Sequence, residues 1–422
     1  GGGAGGEGVQ KKGGGGDTWG GVMGRGLPFF GAGGAMLMEN ARHPYPVVSL
    51  FSGAMGLDLG LNEAGLRVAV SQDIDKWCVE TMRRNDHLAI EGDIRELIND
   101  APGCEFFLRA SGIPREALFA VVGGPPCQSF STAGKRLGVE DARGQLYQEF
   151  IKVVAALRPR FFIMENVKGL ASMSANPADK QSKLVLETIL ESFKAIGYHT
   201  VHGILDAVHY GTPQFRERLV IVGSRDGEDI FLPAPTHFQR HQNPAMRWQT
   251  LGSAIGDLKD AGPHAQFSPA VQRYLALLGE GNNWKNLPKN IVQEAMGGAF
   301  ESGGSKVGFY RRLNRAEPSP TLVTSPIQKA TMLCHPTELR PLSVSEYARI
   351  QKFPDHWKFE GKTADCYRQI GNAVPTALGR ALGQMLRSVA QGDAKVNAKR
   401  MRGTSVHRKL DSVETEDWGD DS

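Results

Sequence analysis

Five short runs of β-branched and aromatic residues, at 47–51, 67–70, 119–122, 161–164 and 219–222, recur along the chain with helix-length segments between them. Runs this short and apolar suit strands buried on both faces, and neighbouring parallel strands need a crossover that a helix can supply. The pattern predicts βαβ units, and with them an α/β fold with a doubly wound, mostly parallel sheet. From about Leu232 to Ser325 the rhythm gives way to loops rich in Pro, Gly, Asn and His, so a smaller irregular domain is expected there. Residues 1–35 hold 17 of the 52 glycines and have no hydrophobic period. Such a segment cannot bury enough apolar surface to offset its chain entropy. The expected organisation is a disordered Gly-rich tail over 1–43, an α/β domain over 44–230 and an irregular domain over 231–355. A segment over 356–390 and a flexible charged tail over 391–422 follow.

With 422 residues, 41% hydrophobic, the chain is long enough for two or three cores. The net charge of +4 is too small to indicate a polyanionic partner by itself. Residues 236–330, however, carry 11 Lys or Arg against 6 Asp or Glu, which concentrates the positive field in the irregular domain. Cysteines 78, 104, 127, 334 and 366 form no C-x-x-C pair and no secreted framework, so they read as reduced thiols, with no structural metal. No run approaches 18 apolar residues and no signal pattern opens the chain, so a cytoplasmic protein without a membrane partner is expected.

Four constellations carry chemistry. The first is Ser49-Leu50-Phe51-Ser52-Gly53-Ala54-Met55-Gly56-Leu57, a strand entering a glycine turn that opens a helix, with Asp73 about one strand later. An acid at a strand tip beside such a turn can accept hydrogen bonds from both hydroxyls of a ribose. An ordinary βα turn fits equally well, and the absent third glycine argues against a dinucleotide fold. Asp93, in Gly92-Asp93-Ile94, stands where a third strand should end, either to meet an adenine amino group or to cap a helix. The second is Gly123-Gly124-Pro125-Pro126-Cys127, a stiff loop that presents one thiol at the carboxyl edge of the sheet. A cysteine held this way is a candidate nucleophile. Third, the apolar strand 161–164 delivers Glu165. Fourth, Gln214, Arg216 and Arg218 share one face in alternating geometry, and Glu165 could serve chemistry, a structural ion pair with one of these arginines, or both.

Taken in order, FSGAMGLDLG, Asp73, GDI, GGPPCQSFS, MENV, QFRERL, RRLNRAEPSPTL and IGNAVPTALG closely resemble the DNA (cytosine-5) methyltransferase family over about Val47 to Leu386. The one departure is Asp73, where many members carry Glu. The resemblance implies a bacterial modification-type enzyme with S-adenosylmethionine as methyl donor and duplex DNA as partner, acting as a monomer in the nucleoid-containing cytoplasm. It makes 231–355 the target-recognition domain, and 356–390 the segment that completes the catalytic domain. A cognate restriction endonuclease could act on the same site.

The resemblance also implies roles. Cys127 would add to carbon 6 of cytosine, Glu165 would protonate ring nitrogen 3, Arg218 would hold the exocyclic oxygen, and Arg216 would support that network. Phe51, Gly53, Gly56, Leu57, Asp73, Ile74, Asp93, Ile94, Pro125, Leu146, Asn372 and Val374 would line the cofactor pocket. Ser131, Lys135, Arg136, Arg143 and Gln214 would meet DNA, the first four from a loop over 131–144 able to act as a lid. The alternatives weighed are an RNA cytosine-5 methyltransferase, a silent DNA-binding paralogue and a nucleotide-dependent oxidoreductase. The basic domain, the intact motifs and the incomplete glycine pattern argue against them in turn.

Overall fold

The computed structural model describes residue 1 and residues 43–100, 104–126, 146–174, 183–301 and 307–393. Seven strands form one sheet in the order β3-β2-β1-β4-β5-β7-β6. They are β1 (Pro46–Leu50), β2 (Arg67–Asp73), β3 (Ala89–Glu91), β4 (Ala120–Gly123), β5 (Phe161–Val167), β6 (His199–Asp206) and β7 (Glu217–Ser224). β1 to β5 pair in parallel, whereas β7 runs antiparallel to both β5 and β6. The five apolar runs are β1, β2, β4, β5 and β7. β3 and β6 escaped the sequence pattern because β3 has three residues and β6 (HTVHGILD) neither alternates strictly nor forms a continuous apolar run.

Twelve α-helices are found among the described residues: α1 (Gly56–Glu63), α2 (Lys76–Arg84), α3 (Ile94–Asp100), α4 (Glu105–Ser111), α5 (Leu146–Leu157), α6 (Val185–Ala195), α7 (Leu251–Ile255), α8 (Pro269–Leu275), α9 (Lys289–Met296), α10 (Val344–Ile350), α11 (Thr363–Asn372) and α12 (Thr376–Gln391). Their ends follow from local chemistry. Asp75 caps α2 by accepting from the amides of Trp77 and Cys78, and Gly392 stops α12 in a left-handed conformation.

Alternation along the central strands divides the core between two faces. Val121, Phe162, Met164, Leu219 and Ile221 pack under α4, α5 and α6. Val122, Phe161, Ile163, Val220 and Val222 pack under α1 and α12. A third core joins α7, α10 and α11 with Leu313, Leu322 and Leu333, so it runs across the boundary expected at residue 355. A fourth, smaller one gathers residues 267–334 around Leu275 and Cys334.

α12 brings the C-terminal segment onto the first domain by lying directly on α1. A Cβ at Gly60 would stand 2.1 Å from the carbonyl oxygen of Thr376, and one at Gly56 would stand 2.1 Å from that of Val374. Both opposing atoms are backbone and cannot rotate away. Gly60→Val is therefore expected to cost about 1–3 kcal/mol, read as a lower urea midpoint with an unchanged slope. An unchanged midpoint would show that the two helices do not touch there.

Candidate active site

Parallel pairing sets the strand tips level. Leu50 lies opposite Gln72 and Gly123, and Gly123 lies opposite Met164. The next residues, Phe51, Asp73, Gly124 and Glu165, therefore form a row along the carboxyl edge at the β1–β4 junction, where the strand order reverses. Open α/β sheets bind their ligands at this place.

In the antiparallel pair β5–β7, Arg218 stands opposite Val167, which puts it on the same sheet face as Glu165 two residues back. Arg218 Nε meets Glu165 Oε1 at 2.7 Å, with both side chains only 11% exposed. Burial pushes the Glu165 carboxyl above its ordinary range, and the guanidiniums of Arg218 and Arg216 oppose that shift. The outcome is a carboxyl that takes up a proton more readily than a free glutamate. Its other oxygen approaches the backbone of Gly124, where a Cβ would stand 2.7 Å away. Asn166, the next residue, donates from Nδ2 to the carbonyl of Pro125 at 2.9 Å, tying the Pro-Pro loop to the end of β5. Cys127 follows that loop and lies outside the described residues, as do Ser131, Lys135, Arg136 and Arg143.

The glycine turn is tightly wound. Phe51, Gly53 and Met55 have φ of 53°, 55° and 69°, so two residues with side chains occupy the left-handed region. The Gly53 amide donates to Asp73 Oδ2 at 2.8 Å, and the Asp75 amide donates to Oδ1 at 2.8 Å. A carboxylate offers about four lone-pair sites, so Asp73 keeps capacity for a further donor. Beside it, Ile74 is an exposed apolar side chain, and a Cβ at Gly53 would meet nothing within 4 Å. Gln72, which sequence reasoning missed, is buried. It accepts from the Phe51 amide and donates to the carbonyl of Gly92, linking three strand tips. An internal glutamine has no signal of its own in a sequence.

Several expected contacts are placed differently. Gln214 does not face DNA: it is fully buried, its Nε2 donates to Gln351 Oε1, and its Oε1 accepts from the Leu322 amide. Arg216 is 1% exposed and donates to the carbonyls of Leu322 and Gly371 at 3.0 and 2.7 Å, so it braces the site from behind. Gln351 completes this brace by donating to the carbonyls of Ile370 and Ala373. The expected shared face holds only in part, because β7 begins at Glu217 and the residues before it follow a loop. Gly56 gives its missing side chain to Val374, and Leu57 and Ile94 enter the two cores, as α-helical periodicity directs. Asp93 accepts from both the amide and the guanidinium of Arg95, the helix-start arrangement. Pro125 is buried, Leu146 opens α5 half-buried, Asn372 ends α11 exposed, and Val374 is buried against α1. Among the described residues no cluster of three or more His, Cys, Asp or Glu could hold a metal ion, and no helix is long and apolar enough to cross a membrane.

The model of the C-5 cytosine-specific DNA methylase family matches residues 45–388. The chain belongs to this family. It is therefore a DNA (cytosine-5-)-methyltransferase, of a family that uses S-adenosylmethionine. The type II methyltransferase M.Eco47II of Escherichia coli is 38% identical over 353 residues, covering 81% of this chain and 78% of the relative. M.Sau96I of Staphylococcus aureus is 40% identical over 346 residues, covering 81% and 75%. Two solved structures share the fold. One is a DNA modification methyltransferase encoded within an Escherichia coli prophage, with TM-score 0.57, 24% identity and coverage of 82% and 99%. The other is a DNMT2 variant from Spodoptera frugiperda, with TM-score 0.51, 18% identity and coverage of 81% and 99%.

Proposed function

We propose that this methyltransferase acts on a cytosine flipped out of a short, specific duplex site, with Cys127 as nucleophile and Glu165 and Arg218 holding the base. The observation that carries this reading is the buried Glu165–Arg218 pair, set one residue from the Asn166 tie to the Pro125-Pro126 loop. Carbon 5 of cytosine is a weak nucleophile, and a thiolate adding at carbon 6 breaks the C5=C6 double bond and shifts its electron pair to C4=C5, an enamine that is nucleophilic at carbon 5. A free thiol is only a few per cent ionised at neutral pH, so the addition needs the ring made electron-poor. Glu165, with its raised proton affinity, donates to ring nitrogen 3, and Arg218 donates to the exocyclic oxygen as charge builds there. Once carbon 5 is alkylated, loss of its proton returns an electron pair to the ring and expels the Cys127 sulfur. Arg216 acts through Leu322 and Gly371, as a positioning residue.

The residues at the carboxyl edge fit S-adenosylmethionine. Asp73 keeps acceptor capacity for a ribose hydroxyl, Ile74 offers an apolar surface for a base, and the open side of Gly53 leaves room for a chain. Phe51, Asp93, Pro125, Leu146, Asn372 and Val374 would line the rest of the pocket. When bound, the cofactor supplies an electrophilic methyl group. The basic residues of 231–355, with Ser131, Lys135, Arg136 and Arg143, would hold phosphate and base edges. The enzyme would modify a short site as a monomer, and a cognate endonuclease could act on the same site.

The test supplies methyl-labelled S-adenosylmethionine with duplex DNA or with tRNA. Label in DNA as 5-methylcytosine, at one short sequence, is the expected result. Label confined to tRNA would overturn the substrate assignment. Glu165→Gln is expected to slow single-turnover methylation by about 10^2–10^4, the usual range for losing a general acid. An unchanged rate would remove Glu165 from the mechanism.

A further inference from the structure

Beneath the glycine turn lies a buried polar chain that the mechanism above does not use. Asp58, on the first turn of α1, is 1% exposed. Its Oδ1 accepts from Ser49 Oγ at 2.7 Å and its Oδ2 from Ser71 Oγ at 3.0 Å. Ser52, inside the turn, donates from Oγ to Ser49 Oγ at 2.8 Å. On the other side Ser71 Oγ lies 3.0 Å from Nε2 of His87. A carboxylate here is costly: its hydrogen bonds come from serine hydroxyls, and burial pushes it up to about 6. A hydrophobic residue would pack between β1, β2 and α1 without that cost, so the charge needs another reason.

The turn supplies one. Two residues with side chains, Phe51 and Met55, are held in left-handed conformations on either side of Gly53, and such strain persists only where the surroundings enforce it. We propose that Asp58 is a positioning residue for the cofactor loop. As the final acceptor of the relay Ser52–Ser49–Asp58, its carboxylate holds residues 51–55 so that the Gly53 amide stays on Asp73. The inference rests on that loop and Asp73 holding S-adenosylmethionine.

The relay has a direction. With Asp58 ionised, each hydroxyl donates inward. A proton on Asp58 sets a donor against a donor, and one link must break or reverse. Other titratable groups around it are Asp73, whose charge bears on Asp58, and His87 behind Ser71, with Arg67 beyond it. Burial holds His87 down at about 4, so it stays neutral while Asp58 titrates. On the packed helix α12, Arg380 faces Glu63 at the far end of α1. The binding-competent form is the deprotonated one, so affinity is full above the Asp58 transition and falls as pH drops through it.

The test is calorimetric binding of S-adenosylhomocysteine to the full chain between about pH 5 and about pH 8, which brackets that transition. Wild type is expected to weaken toward the acid end. Asp58→Asn is expected to bind about tenfold more weakly at the alkaline end, the loss of roughly one charge-assisted hydrogen bond, and to respond little to pH. Ser52→Ala and the double variant Ser52→Ala with Asp58→Asn are expected to bind alike, because the relay ends at Ser52. The thermal midpoint of Asp58→Asn is expected to be no lower than wild type, since the amide removes a buried charge. Wild-type affinity in Asp58→Asn would overturn the proposal. So would a retained pH response in that variant, which would assign the titration to Asp73. A fall of affinity and midpoint together at every pH would reduce Asp58 to a structural role. Absence of binding by wild type at any pH is a separate result, which overturns the cofactor assignment itself.

Discussion

Cys127→Ala is expected to lower methyl transfer to DNA by on the order of 10^6, the scale of loss when a covalent nucleophile is removed from a working set. Folding should be little affected, because the substitution removes one sulfur atom at a position four residues past the end of β4. The informative form of the experiment uses a duplex with 5-fluorocytosine at the target position. Fluorine in place of the carbon-5 hydrogen blocks the elimination that frees the sulfur, so wild type should leave an adduct that survives denaturation. Cys127→Ala should leave none. Glu165→Gln should form the same adduct more slowly, since the carboxyl assists addition without making a bond to carbon. An adduct of undiminished yield in Cys127→Ala would assign the chemistry to a different nucleophile.

Arg216→Ala is the second large effect, and it falls on stability. The guanidinium serves two buried carbonyls, Leu322 and Gly371, which come from segments more than a hundred residues further along the chain. Removing it leaves both oxygens without their donor, at roughly 1–3 kcal/mol each. Chemical denaturation should report a loss of roughly 2–6 kcal/mol for the pair. Because the charge is itself costly in this position, burial holding the guanidinium well below its usual range, the loss belongs to the orphaned carbonyls and the void. Arg216→Met, which fills the space but donates nothing, separates the two contributions. A change under about 1 kcal/mol in both variants would show that the brace carries no load.

The brace also explains why Gln214 and Arg216, expected on one face with Arg218, are buried behind the site while Arg218 reaches Glu165. Alternation places the three on one face only if a strand runs through all of them, and the strand begins at Glu217. Before it, the Arg216 amide is held by Asp206 Oδ1, and Ser319 pairs with Gln214 in an isolated bridge. These contacts join sequence-distant residues and leave no periodic trace. Arg218 lies inside β7, where register alone brings it to Glu165.

Sequence by itself determined the α/β class, five of the seven strands, the row of strand-tip residues and the family. Each depends on local or ordered information: side-chain alternation, the stiffness of Pro-Pro, and motifs in a set sequence. Only the tertiary structure decided which polar residues are buried and hold the frame. Asp58, Gln72, Gln214, Arg216 and Gln351 all carry groups that could bind a substrate, and all are buried. A side chain's chemistry says what it can bond. Whether its partner is a ligand or a distant carbonyl depends on which chain segments fold against it.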